Sequence, residues 1–513
     1  MDAKRASSVD NMLGIQSDFD YGNLSSVTEM VRQMKFAGIE TMRVNVTTDP
    51  GKLSDLNTIT ANGIKLEFLA DTGMTPAANA SAIAKFAASH AGSIKFAEGP
   101  NEPNNFDFSY AGKTGNDAAV AWQNAFFNAM NANATAKDIP VYGVISWPNI
   151  NTAADLNNLH PYPNNGDQPR QTIINNINDQ NAVEPGKLFG ITEMGYFTLP
   201  GDNSNGVSDA VQAKLMVNAY MDAVSLGAQH VGLYSLRDWP ASDGGAHYGI
   251  FYNNNTAKPA ANALHNIETL LSDGAANAGT FTTAPLDVTV SAPSDVRTML
   301  MQKASGDYVM AVWREPDIWD QNLDRAITAS SVNVNLTFAK AANLAEYDPI
   351  AGSAAVKTAT GANNFSFGLT DHAVFVEVKA GAVAPSPPPP AHAPASITVG
   401  SGADSLVLRI NEDAWDGDAQ YVVKVDGRQI GGTLTASALH SSGQYDTVTV
   451  KGDWAAGSHG VDITFLNDAN GGAGMDRNLY VLDGATYDGR AVSGEAANLY
   501  APVTAHFSFT DIG

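Results

Sequence analysis

The chain has 513 residues, with 29 Lys and Arg against 53 Asp and Glu, a formal charge of −24. A surface of that sign repels nucleic acid and anionic membranes, whose binding proteins carry basic patches, and suits a neutral partner. Cysteine is absent, which excludes disulfides, thiolate metal sites and cysteine nucleophiles. No apolar run approaches the about 20 residues that a bilayer span needs. The length allows roughly three domains of ~150 residues.

The start, "MDAKRASSVDNMLGI", lacks the apolar core of a signal peptide. The chain is therefore expected to be cytosolic or a secreted form whose leader is missing. From residue 12 to about 270, strand-like and helix-like pieces alternate. "MLGIQSDF" precedes the helical "SSVTEMVRQMKFAG", and "TMRVNV" and "KLEFLAD" follow. Next come the helical "ANASAIAKFAASHA", the strand-like "KFAEGPNEP" and the helical "DAAVAWQNAFFNAMNANA". "PVYGVISW", "NNLHPYP", "KLFGITEMGY", the helical "SDAVQAKLMVNAYMDAVSLGA" and "HVGLYSLRDW" bring the strand candidates to eight. Such alternation predicts parallel βα units, and eight of them fit a (β/α)8 barrel. An open doubly wound sheet is the alternative, weakened by the lack of a Gly-rich phosphate loop after an early strand.

Residues 271 to 383 read instead as period-two strands broken by Gly, Asn and Asp turns, as in "DVRTMLMQKASGDYVMAVWRE" and "HAVFVEVKAG". A β-sandwich packed on the barrel is expected there. "AGAVAPSPPPPAHAPAS" holds four consecutive prolines, a stiff polyproline spacer that keeps two bodies apart. After it, further period-two strands predict another all-β sandwich. The domains expected are a barrel at 1–270, a β-sandwich at 271–383, a linker at 384–396 and a module at 397–513.

In a (β/α)8 barrel, functional groups sit at the C-terminal ends of the strands. Glu102 in "GPNEPN" ends the fourth strand candidate, and Glu193 in "ITEMGY" ends the seventh. Strands four and seven face each other across a barrel mouth. Two carboxyls there could stand about 5 Å apart, the separation of a retaining glycosidase. One must stay protonated while the other is ionised. Pro100 and Pro103 are expected to stiffen the loop that carries Glu102. Glu98 reads as a packing or supporting residue of strand four. Trp147, at the end of strand five, reads as core packing or as a sugar-stacking platform.

These motifs together resemble clan A of the glycoside hydrolases, retaining (β/α)8 enzymes. The resemblance covers the barrel, and the following sandwich resembles the accessory β-domain of several families in that clan. It implies that Glu102 is the general acid/base and Glu193 the nucleophile, with no cofactor for catalysis. Asn101 is implied to bind the sugar 2-hydroxyl, and Arg43 in "MRVNV" to steady the nucleophile. His160 and Tyr162 in "HPYP" resemble the His-x-Tyr of the clan's strand six. The clan's strand-eight Trp has its counterpart in Trp239 of "LYSLRDWP", which falls late, so Asp238 or Arg237 is an alternative substrate contact.

The last segment carries loops rich in side-chain oxygen, "NEDAWDGDAQ" and "FLNDANGGAGMDRNLYV". Calcium takes six to eight oxygens, although this spacing is not that of an EF-hand. The segment is similar to carbohydrate-binding module family 60, related to family 36, in which a bound Ca²⁺ coordinates sugar hydroxyls. The resemblance implies Ca²⁺ ligation by residues among Glu412, Asp418, Asn467, Asp468, Asp476 and Asn478. Trp415 and Trp454 read as core rather than platform.

The expectation is a secreted, monomeric enzyme: a retaining endo-β-glycanase acting by double displacement on a plant cell-wall or microbial polysaccharide, with no nucleic-acid or membrane partner. A transglycosylase or an exopolysaccharide-degrading glycosidase would use the same two glutamates. A non-catalytic polysaccharide-binding protein would need one of them lost.

Overall fold

The computed structural model describes residues 1–17, 26–164, 166–199, 206–240, 244–380, 394–415, 418–472 and 475–513. The chain divides into two units, Met1–Gly381 and Ala382–Gly513. Most of the expected linker, 384–396, lies outside the described residues.

Eight parallel strands form the first unit's central sheet: β1 (Leu13–Gln16), β2 (Thr41–Asn45), β3 (Lys65–Leu69), β4 (Ile94–Glu98), β5 (Val141–Tyr142), β6 (Asn157–Leu159), β7 (Phe189–Ile191) and β8 (Val231–Leu233). They run in the order β5-β4-β3-β2-β1-β8-β7-β6. A bridge between Tyr142 and Leu156, with Gly143 N donating to Leu156 O at 2.8 Å, brings β5 beside β6 and closes the barrel. Helices follow every strand except β5, from Val27–Ala37 to Pro259–Leu271.

Their ends follow from local chemistry. Ser26 accepts from Glu29 N at the first helix, which stops at Gly38 with φ 70°, a left-handed angle that glycine adopts without a Cβ clash. Four others begin with Pro50, Pro76, Pro169 and Pro259 at the first turn, where a missing N–H costs nothing. The strands bury both faces, as a parallel sheet under helices requires.

The β-rich segment after the barrel is one continuous sheet folded over itself. Val332–Tyr347 pairs with Ala355–Leu369 along its whole length, and on its other edge with Val288–Ser291 along its first part and Val374–Ala380 along its second. Leu300, Met310 and Val376 from one half pack against Leu336, Phe338 and Phe367 from the other. The boundary expected at 270/271 does not separate two bodies. Ala3–Arg5 pairs in parallel with Leu300–Gln302, and the barrel core runs on through Met299, Met301, Trp313 and Phe375. The chain's N-terminus is thus an edge strand of the accessory sheet.

The second unit is a sandwich of a 7-stranded and a 5-stranded sheet. Leu408, Val448 and Val481 of one meet Tyr421, Ile463 and Phe465 of the other. Trp454 packs on this core, 5.2 Å from Phe509. No helix among the described residues is long and apolar enough to cross a membrane.

Candidate active site and module surface

Glu102 lies four residues beyond β4, on the turn opened by Gly99 and Pro100. A Cβ at Gly99 would stand 1.7 Å from Gln123 Oε1, so only glycine lets the strand exit pass. Glu102 has φ 39° and ψ 56°, a left-handed conformation that costs a non-glycine residue roughly 1–3 kcal/mol. Pro103 follows in a single 3-10 turn whose Asn105 N donates to Glu102 O at 2.9 Å. The carboxylate accepts from Asn105 Nδ2 at 2.8 Å and lies 2.7 Å from His160 Nδ1.

Glu193 sits two residues beyond β7, across the mouth. Arg43 Nη1 donates to its Oε1 at 2.5 Å and Tyr162 OH to its Oε2 at 2.9 Å. Burial alone would raise this carboxyl, but the His160 and Arg43 charges and the Tyr162 hydroxyl outweigh it and hold Glu193 below the usual range. Burial beside Glu193 pushes the Tyr162 phenol well up, so it stays a donor. Tyr162, Tyr234 and Tyr248 meet edge-on, with centroids 5.3–6.3 Å apart, and wall in Glu193. Oxygens of Glu102 and Glu193 and a ring nitrogen of His160 all lie within 4.8 Å of one another. With a guanidinium on one oxygen and a phenol on the other, Glu193 is built to remain an anion.

Two cavities meet at Glu102. One, of about 640 Å³, is lined by Glu193, Arg43, Gln16, Asn101, Asp71, Phe106 and Tyr234 among others. The other, of about 430 Å³, is lined by His160, Tyr162, Trp147, Asn149 and Asn176 among others. Phe106 is 68% exposed in the first and Trp147 62% exposed in the second, so an aromatic face stands on each side of Glu102. The exposure of Trp147 decides between core and platform: it is not core.

The structure thus brings together Glu102, Glu193, Asn101, Arg43, His160, Tyr162 and Trp147. Asn101 Oδ1 accepts from Arg43 Nη2 at 2.9 Å. Arg43 is 2% exposed and acts on the carboxylates around it.

Asp238 and Trp239 lie outside this group. Asp238 is 4% exposed and paired with Lys258 Nζ at 2.8 Å, and neither residue lines the two cavities. β8 ends at Leu233, so the next residue, Tyr234, takes the strand-end position; the aromatic in "LYSL" was the available signal. Phe106 and the buried Thr192 were also missed. Nothing in a lone sequence separates Phe106 from a loop-packing residue, and Thr192 reads as ordinary β-strand chemistry.

In the second unit, Glu412 Oε1, Asp468 Oδ1, Asp476 Oδ1 and Asn478 Oδ1 are buried oxygens without a hydrogen-bond partner. Such orphans are costly unless a donor or a cation takes them, and carboxylate and amide oxygens are the ligands that calcium takes. Asn467 is engaged differently. Its side chain bridges backbone, accepting from Gln420 N at 2.6 Å and donating to Asp418 O at 3.0 Å.

Residues 405–500 match the family model described as a Ca-dependent carbohydrate-binding module, xylan-binding. No curated protein sequence matches the chain. Among solved structures, a family 39 glycoside hydrolase from the gut symbiont Bacteroides cellulosilyticus WH2 is similar at 13% identity and TM-score 0.50, over 74% of this chain and 82% of that one. A glucosidase from Croceicoccus marinus is similar at 11% identity and TM-score 0.48, over 68% and 91%. The first unit therefore has the TIM-barrel fold found in a glycoside hydrolase, and residues 405–500 of the second match the family 60 carbohydrate-binding modules.

Proposed function

We propose that the first unit is a retaining endo-β-glycanase and that the second, tethered by the Pro-rich segment 384–396, holds it on its polysaccharide. The observation that carries the reading is the pair of carboxylates with oxygens within 4.8 Å, one anchored as an anion and the other more open to solvent. Retaining enzymes hold their carboxyls about 5–5.5 Å apart and inverting ones wider. Glu193 attacks the anomeric carbon while Glu102 protonates the departing oxygen. Glu102 then takes a proton from the water that releases the sugar from Glu193.

The cavity holding both carboxylates receives the sugar that is attacked, and the one holding only Glu102 receives the leaving portion. Cavities on both sides of Glu102 support cleavage within a chain. An aromatic platform on the leaving side also supports a second reading, transfer to an acceptor sugar, which product analysis distinguishes from hydrolysis. A non-catalytic role would need one carboxylate missing, and both are present.

In the module, Ca²⁺ would be held by residues among Glu412, Asp468, Asp476 and Asn478, with Asp418 beside them. Bound there, the cation supplies direct coordination of sugar hydroxyls. The xylan-binding description of the matching model supports a xylan-like substrate, and a polymeric substrate suits an enzyme working outside the cell. Tethering raises the effective substrate concentration at the barrel.

Glu193→Ala tests the reading on the full chain. Turnover of aryl β-xylobiosides and cellobiosides should vanish, and added azide should restore part of it with the product's anomeric configuration inverted. Turnover near wild type in this variant would sink the assignment.

A further inference from the structure

The two catalytic carboxylates are joined by one buried path of hydrogen bonds. From Glu102, His160 leads through its Nε2, 2.9 Å away, to Thr192 Oγ1. Thr192 Oγ1 donates within reach of Glu98 Oε2, at 3.0 Å, and of Asn158 Oδ1, at 2.9 Å. Glu98 in turn accepts from Arg43 Nε at 2.5 Å and Nη2 at 3.1 Å, and Arg43 holds Glu193. Glu98 is 3% exposed and takes a fourth donor, Asn158 Nδ2, at 3.1 Å.

We propose that Glu98 is a positioning residue for both carboxylates at once, holding Glu193 through Arg43 and Glu102 through Thr192 and His160. The inference rests on the roles proposed above for Glu102 and Glu193.

Proton counting gives the second arm its direction. Thr192 has one hydroxyl proton, and two of its neighbours, Glu98 Oε2 and Asn158 Oδ1, are acceptors. That proton goes to one of them, which leaves the Thr192 lone pair to accept from His160 Nε2–H. Nδ1 then faces Glu102. As neutral imidazole it accepts from a protonated Glu102, and as imidazolium it donates to an ionised one. Both stages of a double displacement are served without moving the ring. A packing residue would not need this sequence of donors.

Thr192→Val severs the Glu102 arm at nearly constant volume and leaves the pairing of Arg43 with Glu193 intact. It removes the acceptor for Nε2–H, so the imidazole turns its proton toward Glu102 and favours the ionised carboxylate. General-acid assistance is worth ~10²–10⁴-fold, so kcat/KM on a phenyl β-glycoside should fall about tenfold or more. On the matched 2,4-dinitrophenyl glycoside, which needs no protonation, the fall should stay within about threefold. Glu98→Gln loosens both arms and should lower both substrates together. Equal losses on the two leaving groups in Thr192→Val would overturn the proposal.

A second arm needs no turnover. The ¹⁵N shifts of the His160 ring in the full chain should move in Thr192→Val and also in Glu98→Gln, which does not touch the ring. An unchanged His160 signal in Glu98→Gln overturns the coupling. The catalytic reading fails separately, if Glu193→Ala retains activity.

Discussion

Arg43 Nη1 stands 2.5 Å from Glu193 Oε1 with the two side chains only 2% and 9% exposed. The same guanidinium reaches Glu98, Gln16 and Asn101. A sealed cation shared this way is held by geometry as much as by charge, because only a planar fork reaches four partners in different directions. Arg43→Lys keeps the charge and loses the fork. It should cut kcat strongly and lower the melting temperature, since breaking a buried ion pair costs about 3–5 kcal/mol. Wild-type kcat and melting in this variant would contradict the argument.

Tyr162→Phe removes one of the groups that keep Glu193 below the usual carboxylate range. Burial then regains ground and the Glu193 pKa rises. The acid limb of kcat/KM, which reports the free enzyme, should move to higher pH. The stability sign follows. A depressed carboxyl adds stability above its unfolded pKa of about 4.3 and loses it as pH falls through the folded value. Tyr162→Phe should therefore melt lower at neutral pH, and the gap should close in acid. A pH–rate profile and thermal melts at several pH values check both.

Trp147 stands on the leaving side, exposed. Its backbone N donates to Asn104 Oδ1 at 3.1 Å, which ties its loop to the one carrying Glu102. Trp147→Ala should leave the fold within about 0.5 kcal/mol, as exposed substitutions do. It should raise KM on long oligosaccharides and leave aryl glycosides, which place no sugar there, nearly unchanged. Equal KM effects on both substrates would remove the platform.

Much of this site was legible from residue order. Eight strands in sequence set which ends share a mouth, so Glu102 and Glu193 could be brought together without coordinates. What was hidden depends on where a strand stops within two or three residues. Placing the end of β8 too late sent attention to Asp238 and Trp239 and past Tyr234. The module's ligands were hidden for another reason: a loop Asn, such as Asn467, serves backbone as readily as metal, and composition does not tell the two apart.

Asp238 supplies a test of its own place. Lys258 is fully buried and its Nζ reaches Asp238 and Thr198, both at 2.8 Å. Asp238→Asn strands most of that charge, so stability should fall by a few kcal/mol, toward the about 3–5 kcal/mol of a broken buried pair. KM at permissive temperature should stay near wild type. A rise in KM without loss of stability would return Asp238 to the substrate.

Removing Ca²⁺ with EDTA should destabilise the second unit and release the chain from xylan. Buried oxygens such as Glu412 Oε1 would lose their counter-charge. Calorimetry of the full chain should show one transition move with chelator and the barrel transition hold. Affinity electrophoresis in xylan reports the binding. Retardation that persists in EDTA would transfer recognition to aromatic stacking.

The pairing of Ala3–Arg5 with Leu300–Gln302 sets an order on synthesis. Ala3–Arg5 can reach its place only after residue 302 has followed it out of the ribosome. At ~5–20 residues per second, that is a wait of roughly 15–60 s. Through that interval Ala6 and Val9, fully buried at the end, have no finished surface to cover them. Residues 3–5 are therefore made early and locked late.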